Sequence, residues 1–194
     1  MRLDPAVLDS TADLLSAAGP LAPLHLTLSA GAIQVLFRAG EPTTEQLTSL
    51  IRLAATLGVE PLAGALGRDS LSYTLTSVLT CGSVLVAGTH PPTGPAPGRD
   101  RATSTGQAVQ VLRSLLPWAS ADVPLPCTVA EVHVIDDGGQ LAVHVVAQDA
   151  DDPLSALIAV SAGIAPTRPV GSSGFSAAGR GRLPSGQALL ISVN

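Results

Sequence analysis

The sequence predicts an α+β fold built from two internally duplicated αββαββ units, with antiparallel sheets packed against helices in a pseudo-dimeric arrangement. Three observations predict it. Apolar residues alternate with polar ones along short segments separated by turn residues, which indicates β-hairpins. Between the hairpins, apolar residues recur every three or four positions, which indicates amphipathic helices. The same order of elements then returns about 106 residues later in the 194-residue chain.

The first unit begins with a helix and a hairpin. Asp4 precedes a proline and is a good helix cap, and the apolar positions after it share one helix face up to Gly19. Leucines alternate with polar residues over positions 24–28, and apolar side chains alternate again over 33–37. A hairpin with its turn at positions 30–31 is therefore expected to follow the helix.

The first unit closes with a second helix and a second hairpin. Thr43 and Gln46 are spaced as a capping box, and apolar residues repeat at helical spacing until Gly58 ends the run. Two apolar segments, 71–80 and 83–88, flank a Cys-Gly turn and predict the second hairpin.

A linker separates the two units. Residues 91–104 are rich in proline and glycine, which is typical of linkers. We therefore expect a first α+β repeat over residues 1–90 and a second over residues 105–194. The predicted elements of the second repeat are a helix over 107–118, strands over 128–136 and 140–148, a helix over 152–163 and a last strand over 188–193.

Matching residues support an ancient duplication. Residues 47–51 match 154–158 at an offset of 107, and residues 79–85 match 183–189 at an offset of 104. The first hairpin aligns with its counterpart at an offset of 106, in the same order along the chain. The αββαββ order resembles that of roadblock- and profilin-like regulatory domains. This likeness concerns element order alone and implies, by analogy, an interaction role.

The longest uncharged stretch predicts where burial occurs. Residues 70–98 carry no charge, but serines and threonines interrupt them at intervals typical of a strand. A membrane span should be predominantly apolar over about 20 residues, so we expect a buried hairpin instead. The 71–88 hairpin and its counterpart at 183–193 are expected at the centre of a joint sheet or at an interface.

Composition excludes several classes of function. Only 13% of the residues are charged, against about 25% in typical proteins, and the net charge is −5. All ten basic residues are arginine, so the chain can form neither a Walker-type phosphate loop nor a Schiff base with a lysine. Scattered arginines and only four aromatic residues provide no nucleic-acid surface. This composition is typical of a high-G+C bacterium or its mobile element, and we expect no cofactor.

The N-terminus and the cysteines indicate the compartment. Asp4, Asp9 and Asp13 stand where a signal peptide would have a basic start followed by an apolar run. Cys81 and Cys127 are expected to be reduced structural thiols. We therefore expect a cytoplasmic protein that binds neither membrane nor nucleic acid.

One group of residues could bind a metal ion. A two-residue turn at positions 138–139 would place His133 opposite His144, whereas a four-residue turn would pair Glu131 with His144. Both registers put these three side chains on one sheet face, and two histidines with a carboxylate can hold a divalent metal. The first alternative is that these three side chains belong to a sheet face exposed to solvent or to an interface, while the apolar residues next to them in the strands point to the core. The second is a histidine pair whose protonation at about pH 6 to 7 loosens an interface.

Residues 174–182 form a second candidate site. Arg180 and Arg182, in a Gly-Arg-Gly-Arg run, could bind an anion through guanidinium groups and backbone amides. An exposed turn with solubilising charges is the alternative. Ser176 lies between glycines, but the spacing departs from that of a nucleophile elbow and no histidine follows it in the sequence.

These observations favour a non-catalytic protein-binding or assembly module. So few charges imply a large apolar surface, which self-association or a protein partner would cover. No nucleophile, base and oxyanion donor come together in the sequence. Two alternatives remain open: a metal-dependent enzyme with the two-His-one-carboxylate site, and a small-ligand sensor with a cavity between the repeats.

Overall fold

A computed structural model describes residues 2–37, 43–65, 71–89, 101–137 and 140–194. These residues form four α-helices and ten β-strands of an α+β fold. The helices are α1 (Pro5–Ala18), α2 (Thr43–Leu57), α3 (Arg101–Ala119) and α4 (Pro153–Ile164). The strands are β1 (Leu24–Ser29), β2 (Ala32–Phe37), β3 (Leu62–Ala65), β4 (Leu71–Val78), β5 (Val84–Gly88), β6 (Thr128–Asp137), β7 (Gln140–Gln148), β8 (Thr167–Ser172), β9 (Ala177–Arg182) and β10 (Ala188–Val193).

Two helices begin at the caps that their sequences supply. The Asp4 carboxylate accepts a hydrogen bond from the backbone N–H of Ala6 at 2.8 Å, which confirms it as the cap of α1. The Asp152 carboxylate accepts from the N–H groups of Leu154 and Ser155 and caps α4. A proline follows each of these aspartates, where its fixed φ suits the first helical position.

All ten strands belong to one continuous sheet. Its strand order is β3-β4-β5-β2-β1-β6-β7-β10-β9-β8. From the middle outwards the order is β1, β2, β5, β4, β3 on one side and β6, β7, β10, β9, β8 on the other. Antiparallel pairing of β1 with β6 joins the two sides.

The prediction of antiparallel sheets is wrong in two places. Strands β2 and β5 run parallel, and so do β7 and β10, so the sheet is mixed. Each parallel pair brackets a helix in the sequence, because a parallel connection needs a crossover rather than a tight turn. Hairpin patterns along the sequence reveal only neighbours joined by turns, so the crossovers were not predicted.

Each half also contains more strands than the individual segments predicted, one more in the first half and two more in the second. The observed order is αββαβββ in both halves, because β3 adds to the first and the β8–β9 hairpin adds to the second. The three missed strands contain glycine, alanine, arginine and proline in place of the alternating β-branched residues that mark strands. Their pairing with neighbours, rather than their own propensity, keeps them extended.

The 71–88 hairpin does not lie at the centre of the sheet. Strands β4 and β5 occupy the second and third positions from one edge, and β1 and β6 occupy the centre. The proposed position of the 71–88 hairpin at an interface stays a prediction. The helix α3 begins at Arg101, so residues 101–104 are helical rather than linker. The remainder of the predicted linker, 91–100, lies outside the described residues.

The helices cover one face of the sheet. Helix α1 packs against α2 and α3, and α3 against α4, so the four helices form one layer. The strand side chains beneath them are buried, and they include Leu26, Val35, Leu85 and Ile191, each less than 2% exposed. No disulfide joins Cys81 to Cys127, and their reduced state stays a prediction. Within the described residues, no helix is long and apolar enough to cross a membrane.

Candidate functional site

The sheet face turned away from the helices is the open face, and its side chains follow from strand parity. Leu26 pairs with Val35 on one side and with Val134 on the other, and all three are buried beneath the helices. Adjacent residues point to opposite faces of a strand, so His25 and Thr27 belong to the open face. Every described side chain on this face keeps some exposure to solvent. Three zones follow one another across this face, from β3 at one edge of the sheet to β8 at the other.

The first zone lies on β3, β4 and β5, where exposed aliphatic side chains share the open face with Thr74 and Thr76 of β4. We call Leu62, Val78, Val84 and Val86 the apolar zone; they are 70%, 67%, 40% and 39% exposed. Val78 lies directly opposite Val84 in the register of β4 and β5. Among the described open-face side chains from β3 to β1, none is charged.

The second zone is a row of three histidines at the centre of the sheet. His133 and His144 are directly opposite each other on β6 and β7, which is the register of the two-residue turn. The turn itself, 138–139, lies outside the described residues. Their rings stack with centroids 5.7 Å apart, and the ring of His25 on β1 lies 5.6 Å from that of His133. We call His25, His133 and His144 the histidine row.

Hydrogen bonds hold the central ring of the row on both sides. Nε2 of His133 lies 2.9 Å from the Glu131 carboxylate, and Nδ1 lies 3.2 Å from Oγ1 of Thr27 and 3.4 Å from Nε2 of His25. A carboxylate only accepts, so Nε2 of His133 carries a proton in this contact. In the neutral ring Nδ1 then accepts from Thr27 or from His25.

The outer histidines of the row favour the neutral state. Burial lowers the pKa of His25, and the charge of a protonated His133 lowers it further. Burial also lowers the pKa of His144, reinforced by His133 and opposed by Glu131. Protonation of the whole row would place like charges on adjacent rings, so acid works against this arrangement.

The contact of His144 with Ser192 has two parts of a catalytic triad and lacks the rest. Nε2 of His144 and Oγ of Ser192 are 2.9 Å apart, a distance suited to a base and a nucleophile. Strand β10 pairs with β7 on one side and β9 on the other, so its backbone N–H groups are engaged in the sheet. Among the described residues, no carboxylate orients His144 by a hydrogen bond. Within the described residues, the backbone N–H groups of β10 beside Ser192 are thus taken up by the sheet rather than available to an oxyanion.

The predicted metal ligands lie on one face, as both registers require. Within the part of the chain that the structure describes, no group of three His, Cys, Asp or Glu side chains is arranged to hold a metal ion. Glu131 bonds to His133, whereas the His133 and His144 rings stack. The prediction that the neighbouring apolar residues face the core is confirmed. These residues are Val132, Val134, Leu141 and Val143.

The third zone is the arginine edge, on β8 and β9. Arg180 and Arg182 are exposed on the open face, and Arg168 lies directly opposite Arg180 in the strand register. Arg182 donates to the backbone carbonyl of Gly186 at 2.9 Å. Among the described residues, none of these guanidinium groups has an ion-pair partner. Like charges directly opposite each other repel, so an anionic group bound here would relieve that repulsion.

Sequence reasoning missed several residues of these zones. His25 and Thr27 alternate with leucines, so their shared face was predictable, but their place beside His133 depends on the pairing of β1 with β6. Ser192 and Arg168 joined the site through pairings of β10 and β8 that have no local signal.

Comparisons with protein-family models, with curated proteins and with solved structures find no match for this chain.

Proposed function

We propose that the protein is a non-catalytic protein-binding or assembly module whose binding surface is the open face of the sheet. The observation that carries this proposal is the exposed apolar zone on a face that no described helix covers. Val78, Val84 and Val86 adjoin one another in the register of β4 and β5, and exposed apolar surface bordered by polar residues is typical of interaction sites. Gln34, Thr74 and Thr76 supply the adjoining polar residues, and the histidine row begins two strands further on, at β1.

The arrangement of the open face suits binding better than catalysis. A sheet face is broad and shallow, whereas enzymes and cofactor sites use concave pockets that exclude water. The apolar zone would form the dry centre of an interface, and depletion of charge at the centre with polar groups around it is typical of protein–protein contacts. A partner with an apolar centre and acidic groups over the arginine edge would match it.

Photo-crosslinking tests this proposal. Benzoyl-phenylalanine at Val86 places a reactive group on the open face, and the same group at Ile158, 58% exposed on α4, is the matched control. We expect a discrete adduct from position 86, formed with a second copy in the purified protein or with another protein in a cell extract. The substitution Val84→Glu should remove it. If position 86 gives no adduct that Val84→Glu removes, in either sample, the proposal fails.

We also propose that the chain arose by duplication and folds as an internal pseudo-dimer. The mirrored strand order supports this. A two-fold axis between repeats pairs a residue near the axis with its own equivalent in the other repeat. Thr27 pairs with His133 at the centre of the sheet, and these residues are 106 positions apart, which is the offset between the repeats. Two turns also match: Leu79 and Gly82 make the same backbone hydrogen bonds as Leu183 and Gly186, 104 residues later.

Exchange of these two turns tests the duplication. Gly82 and Gly186 both have positive φ, of 84° and 95°, so each turn supplies the backbone conformation that the other needs. A variant with residues 79–83 and 183–187 exchanged should keep the wild-type melting temperature within a few degrees. A matched variant with Gly82→Val, which puts a branched side chain at positive φ, should melt lower. A collapse of the exchanged variant would contradict the equivalence of the turns.

The metal-dependent enzyme remains a separate proposal. It would use Glu131, His133 and His144, which share the open face. Equilibrium dialysis against Zn²⁺ or Fe²⁺ tests it with a His133→Ala control. Binding of one metal ion per chain that His133→Ala abolishes would support the enzyme, and absence of such binding would refute it.

A further inference from the structure

We infer that both outer edges of the sheet are closed to strand addition by a proline at an equivalent position, so a partner cannot bind by extending the sheet. The two prolines are Pro61, which immediately precedes β3, and Pro169 in β8. This inference deepens the proposed function, because it states which surface of the sheet is withheld from partners and from second copies. It concerns the edges rather than the open face, so the two can fail independently.

Strands β3 and β8 are the outermost strands of the sheet. In the described part of the chain, β3 pairs with β4 alone and β8 with β9 alone. The outward backbone N–H and C=O groups of such strands can pair with another chain, which is how sheets extend into oligomers and aggregates. Proline has no backbone N–H, so its effect depends on whether its nitrogen points inward or outward.

At the first edge, the backbone hydrogen bonds of β4 show which residues of β3 face outward. The N–H of Thr89, which follows β5, donates to the carbonyl of Tyr73 at 3.0 Å, so the backbone groups of Tyr73 face β5. The backbone groups of adjacent residues point to opposite sides of a strand, so those of Thr74 face β3, where Leu62 is its register partner. Leu62 therefore faces β4, and the nitrogen of Pro61, the residue before it, points to the outer edge.

At the second edge, the loop between β8 and β9 gives the same information. The N–H of Ser173 donates to the carbonyl of Ser176 at 2.7 Å, so the backbone groups of Ser176 face the β8 side. Alternation along β9 then turns the backbone groups of Gly179, three residues later, towards β10. Gly179 lies directly opposite Pro169 in the register, so the nitrogen of Pro169 also points to the outer edge.

The two prolines occupy equivalent positions in the two halves. The register of β3 with β4, continued by one residue, sets Pro61 opposite Leu75, and Pro169 lies opposite Gly179. Residues 75 and 179 are 104 positions apart, which is also the separation of the matching turns at 79–83 and 183–187. The same edge position therefore lacks its N–H in both halves.

A proline at this position blocks strand addition in two ways. An added strand would find no N–H for one of its carbonyl groups, and the pyrrolidine ring would occupy the space where that carbonyl lies. At the second edge, the exposed charge of Arg168 and the irregular register at Pro169 add to the obstruction. Copies of the protein are therefore kept from joining edge to edge.

Restoring the missing N–H groups tests the inference. Pro61→Val and Pro169→Val are made singly and together in a Val86→Glu background, so that association through the open face does not contribute. Neither proline nitrogen takes part in the pairing of the sheet, so circular dichroism should show the fold of the parent. If valine lowers the melting temperature, Pro61→Ala and Pro169→Ala take its place. Pro124→Val, at an exposed proline outside the strands, is the matched control.

Sedimentation velocity over a wide range of concentrations gives the result. We expect the Val86→Glu parent and the Pro124→Val control to stay monomeric. Each single edge variant should form dimers and stop there, because two copies that pair about a two-fold axis use up the one opened edge. The double variant has two opened edges per copy and should form longer linear species, associating at least about tenfold more strongly than the control.

Three results would overturn the inference. They are a double variant as monomeric as the control in both its valine and its alanine forms, a control that associates as the double variant does, and a single variant that grows beyond a dimer. Failure of the proposed function has a different signature, since it would appear in the wild type as the absence of any crosslink at position 86.

Discussion

Substitution of two adjacent residues of β5 should have opposite effects on stability and binding, because their side chains point to opposite faces of the sheet. Leu85 is fully buried beneath the helices, and Val86, the next residue, is 39% exposed on the open face. Truncation of Leu85 should therefore lower stability and leave the binding surface intact. Truncation of Val86 should leave the fold intact and weaken binding.

The structure sets the size of each effect. Leu85→Ala removes three buried carbon atoms at about 0.8 kcal/mol each and leaves a cavity, so the free energy of unfolding should fall by about 2 to 5 kcal/mol. Val86→Ala removes two carbon atoms from a side chain about 60% buried, so the loss should be about 1 kcal/mol.

Urea unfolding followed by circular dichroism measures both changes, with a single transition fitted by linear extrapolation. If Val86→Ala lowers the free energy of unfolding as much as Leu85→Ala does, then a layer of structure covers the open face. If Leu85→Ala costs less than about 1 kcal/mol, the assignment of faces is wrong.

Three further predictions follow from the packing and the histidine row. His25 and His144 have folded-state pKa values below those of the unfolded chain, so the unfolded state binds more protons in acid. The free energy of unfolding should fall from about pH 7 to about pH 5, and His25→Gln with His144→Gln should flatten the slope. Gly163→Ala gains about 1 kcal/mol of helix propensity but places a Cβ 2.6 Å from Cδ1 of buried Trp118. Because overpacking costs about 1 to 3 kcal/mol, urea unfolding should show a net fall in the free energy of unfolding. Leu26→Ala, at the central pairing of β1 with β6, should cost about 2 to 5 kcal/mol and keep one unfolding transition; two transitions would mean that the halves fold separately.

The elements with strong local patterns were predicted from the sequence. The first hairpin follows from leucines alternating over β1 and apolar residues alternating over β2, and both strands bury those side chains. Asp4 signalled the start of α1 because a carboxylate there satisfies a free backbone N–H. Such features depend on a few neighbouring residues, so the sequence contains all the information they need.

The elements without such patterns required the tertiary structure. Strand β8 contains Pro169 and pairs with β9 through an irregular register at that proline, which alternation in sequence cannot reveal. The histidine row also depends on a strand pairing that the sequence pattern does not show. His133 and His144 share a predicted hairpin, but His25 reaches them only because β1 lies beside β6.

The central claim is that the open face is a protein-binding surface, and charge insertion tests it most directly. Val86→Glu places a carboxylate in the apolar zone, and Ile158→Glu places the same charge on an exposed aliphatic residue of α4. The dissociation constant is measured for each variant with the partner identified by crosslinking, whether a second copy or another protein. We predict that Val86→Glu weakens binding at least about tenfold while its melting temperature falls by only a few degrees, and that Ile158→Glu binds as the wild type does. Equal binding by the two variants would contradict the claim.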